Sequence, residues 1–273
     1  MFHYEFMIIA FVVATMLALV FPLLGGPVVY KKLSSSGDAL AHSSLAGIAI
    51  GLVSGLNPML ISIITCVVSF LIIGVLRRKF GKHAEIGVVV VLSGAIALSG
   101  ILSGYAKAAN FDSYLFGSIL LLSYEEVYVV AGLLLVTLLF SIFFYQRQLH
   151  CLYSEEEAHI SGIKTGWLDL LHSLLFALAV AIGSKAVGAL VVSSMVVLPT
   201  ASALLLRKGY CFTLFASLGY SLLAMLGGIV ASYYLDWKPG ATSAGIAVSA
   251  LLITLIVRAL VTFFKKKALA SRG

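Results

Sequence analysis

The sequence predicts an all-α integral membrane protein, a polytopic bundle of about nine transmembrane helices with one short helix outside the bilayer. Three observations lead there. The 273-residue chain is 61% hydrophobic and 11% charged, with a mean hydropathy of +1.11. Apolar runs of roughly 20 residues, the length that crosses a bilayer as a helix, recur from end to end. The basic residues gather in the short segments between alternate runs, as the cytoplasmic enrichment of Lys and Arg requires. No polar stretch is long enough for a separate soluble unit, so residues 1–273 read as one transmembrane domain. The first apolar run has no basic residue ahead of it and no small-residue cleavage site, so a cleaved signal peptide is not expected.

The runs follow in order. Phe6 to Val29 is the first and ends at Lys31-Lys32. Ala39 to Leu56 is the second, stopped by the turn signal Asn57-Pro58. Met59 to Leu76 precedes Arg77-Arg78-Lys79, and Ile86 to Tyr105 is the fourth. The stretch Lys107 to Glu126 has another texture. Its apolar part, Tyr114 to Leu122, is too short to span and reads as re-entrant or interfacial. Val127 to Tyr145 is the fifth span, followed by the polar loop His150 to Gly166. Leu168 to Ile182 is the sixth, and a Gly183-Ser184-Lys185 turn leads to the seventh, Ala186 to Leu206. Cys211 to Leu235 and Ala241 to Phe264 complete nine, with Asp236 to Gly240 as the loop between them. The count falls to eight if one run is only interfacial.

Of the 18 Lys and Arg residues, all but Lys107, Lys185 and Lys238 fall on one side of this arrangement, which is therefore cytoplasmic. The N-terminus is expected outside and the C-terminus inside. The net charge of +7 reports this topology, so no nucleic-acid partner is expected and lipid is the surrounding medium. Cys66, Cys151 and Cys211 form no metal-binding spacing and read as apolar filler.

Chemistry concentrates where the second run begins. Asp38 and His42 are four residues apart, hence about 40° apart on one helix face. A charge inside an apolar run costs roughly 2.5–3.5 kcal/mol, so it usually has a partner or a task. A carboxylate and an imidazole at this spacing can share a cation. Gly47, Gly51 and Gly55 repeat at every fourth position on the opposite side, a close-packing ridge for another helix. Two plainer readings stand beside the metal one. Asp38 could cap the helix after the entry turn Ser34–Gly37, and His42 could be a neutral imidazole bonded across helices.

Other residues carry less. Asp169 and His172 share one face of the sixth span and read as structural or interfacial. Glu125-Glu126 reads as a solvated helix start or an acidic contact for an external partner. Pro199 should kink the seventh span and is a candidate hinge. In the cytoplasmic loop, Ser154 and Glu157 make a capping box. Acids fill the first turn and Gly162 stops a two-turn helix there. Such an element either docks another protein or simply joins two spans. There is no phosphate loop of the Gly-x-x-x-x-Gly-Lys-Ser/Thr kind, so the chain is not that kind of ATPase. Nor is there a protease motif.

The stretch Leu33 to Gly47, with Gly37-Asp38-Ala39-Leu40-Ala41-His42 at its centre, resembles the membrane permease of the zinc/manganese/iron ABC importers. That family opens its second helix with Asp-Ala-Leu-Ser-His; here Ala41 replaces the Ser. Phe116–Leu120 with Ser123-Tyr124-Glu125, and Val187–Leu190 leading to Val197–Ala201, resemble it too, so the likeness covers nearly the whole chain in order. The resemblance implies a homodimer of permeases in a bacterial cytoplasmic (inner) membrane, served by two cytoplasmic ABC ATPase subunits and an extracytoplasmic metal-binding protein. Asp38 and His42 would hold a divalent zinc, manganese or iron ion in transit, together with their copies from the other protomer. Glu155, Glu156, Glu157, Ala158, His159, Ile160 and Gly162 would form the coupling helix seated on an ATPase. No permanent cofactor is implied, the cation is cargo, and ATP is hydrolysed by the partner, so the chain itself is not an enzyme. Two alternatives remain open. One is a secondary carrier with Asp38 and His42 as a proton relay. The other is a siderophore or cobalamin ABC permease, which would not need such a pair.

Overall fold

The structure is a computed structural model that describes residues 5–105, 111, 114–115, 117, 124–162 and 165–270. Nine helices of 16 or more residues are found among them. Helix α1 is Glu5–Tyr30, α2 Ser34–Ser54, α3 Pro58–Phe80, α4 Ala84–Ser103 and α5 Tyr124–Tyr153. The short α6 is Glu155–Ile160. It is followed by α7 Thr165–Val187, α8 Ala189–Leu204, α9 Tyr210–Leu235 and α10 Pro239–Ala270. Of the segment expected to be re-entrant, Phe116 and Ser118 to Leu122 lie outside the described residues.

Seven of these helices are long and apolar enough to cross a membrane on their own; α2 and α8 are not among them. The reason is position. Helices α1, α2, α7 and α8 form the interior, and α3, α4, α5, α9 and α10 surround them with a third or less of their apolar stretches buried. An outer helix needs side chains that lipid accepts. An inner helix needs side chains small enough for its neighbours to approach, and α2 is accordingly rich in Ser, Ala and Gly.

Glycine does this work at α2. A Cβ on Gly47 would stand 2.6 Å from Cα of Ser62, and one on Gly51 would stand 2.6 Å from Cα of Pro58. Both therefore press on α3. Gly55 lies outside that contact. It ends α2 with φ 72°, and a Cβ there would meet nothing within 4 Å, so its role is that of a left-handed C-cap. Hydroxyls fasten the same junction. Ser44 is hydrogen-bonded to Ser62 at 2.8 Å and also to Ser184 of α7.

Residues Gly183-Ser184-Lys185 are not a turn. They continue α7, where Gly183 gives room to the Phe21 ring of α1 and Ser184 reaches Ser44. Small residues that read as a break in the sequence are here a packing surface. The break comes at Gly188, with φ 100°. Helix α8 has 16 residues, about 24 Å of rise, against a hydrocarbon core of about 30 Å. The break is buried in the protein, as irregular backbone in a membrane protein requires wherever lipid would otherwise reach it. Gly117 supplies the cover: its Cα lies so close to the Val187–Gly188 peptide that a Cβ would be 2.4 Å from the Val187 carbonyl oxygen.

Two ion pairs hold α7 at its ends. Lys31 at the end of α1 reaches Asp169 at 2.5 Å, and Lys185 pairs with Glu126 of α5. The carboxylate of Glu126 is largely buried.

Two outcomes follow for stability. Gly51→Val should lower the melting temperature of the detergent-purified protein, costing about 1–3 kcal/mol by overpacking against Pro58, whereas Gly55→Ala should strain only the cap. Lys185→Ala should cost roughly 3 kcal/mol by removing the cation that faces the largely buried Glu126 carboxylate. Exchange of the two charges should recover part of that, and a full loss in the exchanged protein would show that the pair is not what the site requires.

Candidate metal site on the second helix

Helix α2 begins at Ser34, after a turn in which Lys32 adopts φ 57° and the Leu33 amide donates to the Val28 carbonyl. No side chain caps it. Asp38 therefore falls in the second turn rather than at the N-cap, and a capping role is excluded. The carboxylate is exposed, and His42, one turn deeper, is half-buried.

Around this pair α2 is tightly enclosed. Ala39, Leu40 and Ala41 are buried, as are Ser43 and Ser44. Ser43 donates back to the Ala39 carbonyl at 2.7 Å, which leaves its hydroxyl spent within the helix. The face carrying Asp38 and His42 continues with Leu45 and Ala49. These two are covered by Phe111 and Ala189, with Leu102, Tyr114 and Leu115 packed around them. The polar pair thus occupies the open end of a strip whose far end is sealed by apolar side chains. From the enclosing α3, the Cys66 thiol donates to the Leu40 carbonyl at 3.4 Å.

Chemically the pair offers one oxygen and one nitrogen. No group of three or more His, Cys, Asp or Glu residues able to hold a metal occurs among the described residues. A divalent transition metal wants about four ligands of this kind. The pair supplies two donor atoms.

The other residues marked by the sequence fall elsewhere. Helix α6 is capped by Ser154, whose Oγ accepts the Glu157 amide at 3.2 Å, and Gly162 follows with φ 79°. Ala158 is buried against Cys151 and Leu168, while Ile160 is 85% exposed. The helix thus presents one face to the bundle and another outward. Pro199 lies inside α8 and is buried; Ser202 and Thr200 donate to the carbonyls of Leu198 and Val196. Glu126 was expected in solvent but is buried and paired with Lys185. Both are charges at the ends of apolar runs, and their shared cost was the signal available for pairing them.

Comparison with known proteins adds the lineage. The model of the ABC 3 transport family matches residues 3–258. A Treponema pallidum protein named "Probable metal transport system membrane protein" is 35% identical over 93% of this chain and 96% of its own length. The high-affinity zinc uptake system membrane protein ZnuB of Haemophilus influenzae is 28% identical over 87% of this chain and 92% of its own. Among solved structures, PsaBC from Streptococcus pneumoniae in complex with Fab superposes with a TM-score of 0.81 at 23% identity, covering 92% of this chain and 91% of that one. With its sequence matched almost throughout, the chain belongs to the ABC 3 transport family.

Proposed function

We propose that the chain is the membrane permease of an ABC importer that carries a divalent transition-metal ion, zinc or manganese or iron, into the cytoplasm. The observation that carries this reading is the Asp38–His42 pair, set on the one open strip of an otherwise enclosed helix and sealed beyond Leu45 by apolar packing. A carboxylate and an imidazole suit these ions without gripping them as thiolates would, and a carrier must release its cargo.

In this reading residues 1–273 form one permease domain in a bacterial cytoplasmic membrane. The basic ends of the helices face the cytoplasm, the N-terminus lies outside and the C-terminus inside. Two copies pair so that the half-sites of α2 meet, which gives the four ligands one chain lacks. Residues Glu155 to Gly162 seat on a cytoplasmic ATPase, one for each permease, and an extracytoplasmic metal-binding protein delivers the ion. The ATPases do the hydrolysis and this chain does none. Alternating access then consists of opening the apolar seal around Leu45 and Ala49 on the outer side and closing the Asp38 end. The break at Gly188, just before α8, and Pro199 within it are the places where the wall can bend. The relatives' names, which mention zinc and metal transport, support the cargo class.

The test is ATP-driven uptake of radioactive zinc or manganese into proteoliposomes that hold the permease with its ATPase. Asp38→Ala and His42→Ala should each lower uptake by about 10–100-fold or more, since even an outer-shell partner of a metal ligand is worth that much. Uptake that survives both changes would overturn the ligand assignment. Uptake that needs no ATPase would overturn the ABC reading in favour of a secondary carrier. Ala158→Glu should uncouple hydrolysis from uptake by unseating α6 while leaving cation binding at α2 intact.

A further inference from the structure

A cavity of about 120 Å³ opens at the basic end of the bundle, among the ends of α1, α3, α5 and α7. A single water needs roughly 10–15 Å³, so the space admits a polyatomic group. Three hydrogen-bond donors line it from three different helices: Arg77 of α3, Gln148 of α5 and Ser173 of α7. None of their side chains has a partner among the described residues.

Gln148 is the informative one. It is only 7% exposed, and a buried amide is costly until something accepts from it. Arg77 is half-buried, whereas its neighbours Arg78 and Lys79 are exposed. A guanidinium cannot shed its charge, so one drawn in from solvent with no carboxylate beside it calls for an anion. The other charges in the wall cancel, because Lys31 is held by Asp169 at 2.5 Å. His172 Nε2 is buried and offers the cavity no surface. The charge left facing the space is that of Arg77.

The remaining wall includes Val28, Leu33 and Leu152. A free anion would keep its water and gain little from these side chains, whereas an anion carried on ester-linked carbon would cover them. The helix ends around the cavity follow directly on apolar runs, as Arg77 follows Leu76. That is the depth of phospholipid headgroups, where basic pockets between helices hold anionic lipid. A zwitterionic lipid would bring an ammonium group that Arg77 and Lys31 repel.

We propose that this cavity is a lipid site, which takes the phosphate of an anionic phospholipid on Arg77, Gln148 and Ser173. The guanidinium fork matches two phosphate oxygens, and the amide and hydroxyl donate to what remains. The headgroup thereby ties α3 to α5 and α7. Cys151 and Leu168, which line the same cavity, are side chains on which Ala158 of α6 rests, so the lipid also props the seat of that helix. Binding does not depend on the importer reading.

The test is native mass spectrometry of the purified full-length chain exposed to equal amounts of phosphatidylglycerol and phosphatidylcholine. The wild type should retain one phosphatidylglycerol per chain, and Arg77→Gln should need at least roughly tenfold more of it. Gln148→Leu should weaken retention several-fold, and Arg77→Lys should recover only part of the loss in Arg77→Gln. The exposed control Arg78→Gln removes the same charge and should change nothing. Equal loss in Arg78→Gln would reveal general attraction to the basic end and overturn the site, as would equal retention of the two lipids. Where Arg77→Gln fails to fold, Gln148→Leu and Ser173→Ala decide, and full retention in both overturns the assignment. Inorganic phosphate separates the sources. In phosphatidylcholine nanodiscs it should leave the melting temperature unchanged, while phosphatidylglycerol should raise it in the wild type but not in Arg77→Gln. An equal rise with inorganic phosphate alone would overturn the lipid as the source.

Discussion

The structure depends on how closely other helices can approach α2. Gly47 and Gly51 let the backbone of α3 come within Cβ-excluding distance, and Ser44 ties α2 to Ser62 on one neighbour and Ser184 on another. In lipid, apolar contact between helices gives no hydrophobic gain over contact with acyl chains. Close packing and buried hydroxyl pairs have to supply the association. A helix held in this way can tolerate an exposed carboxylate and a half-buried imidazole on its remaining strip, because its other faces are already committed. The same enclosure explains why α2 is not apolar enough to count as a membrane span by composition.

The enclosure also shapes what the pair can do. One oxygen and one nitrogen are too few for a stable transition-metal site, and the strip beyond them is closed by Phe111 and Ala189. In the function proposed for this member of the ABC 3 transport family, such a pair suits brief occupancy shared between two copies. Incomplete coordination is an advantage where an ion has to leave again.

Helix α7 joins the apolar seal to the seat of α6. One end carries Lys185, paired with Glu126, and leads into the Gly188 break that Gly117 covers. The other end carries Asp169, paired with Lys31, and His172 beside the seat of α6. A displacement of α6 against Cys151 and Leu168 reaches α7 directly, and through it the neighbourhood of Ala189, which lies over α2. That is a contiguous packed route between the surface proposed for the ATPase and the seal above the proposed cation site.

Much of this was legible in the residues. The apolar runs and the basic segments between them required a helical membrane protein, because no other element satisfies its backbone in lipid so simply. Ser154 and Glu157 announced a capped helix through a local rule, and the Asp38–His42 spacing placed both groups on one face. What the sequence could not settle were matters of neighbourhood. Gly183 looks like a helix breaker until Phe21 is seen filling the space beside it, and Gly55 shares its spacing with Gly47 and Gly51 but ends a helix instead of packing one. Asp38 looked able to cap its helix until the helix was found to start at Ser34. Glu126 and Lys185 are 59 residues apart in the chain and meet only in the fold. Periodicity and composition determine which segments become helices and what they dissolve in. Which helices lie inside, which charges find partners and which end of the polar strip is open were decided by tertiary packing, since those depend on groups brought together from distant parts of the chain.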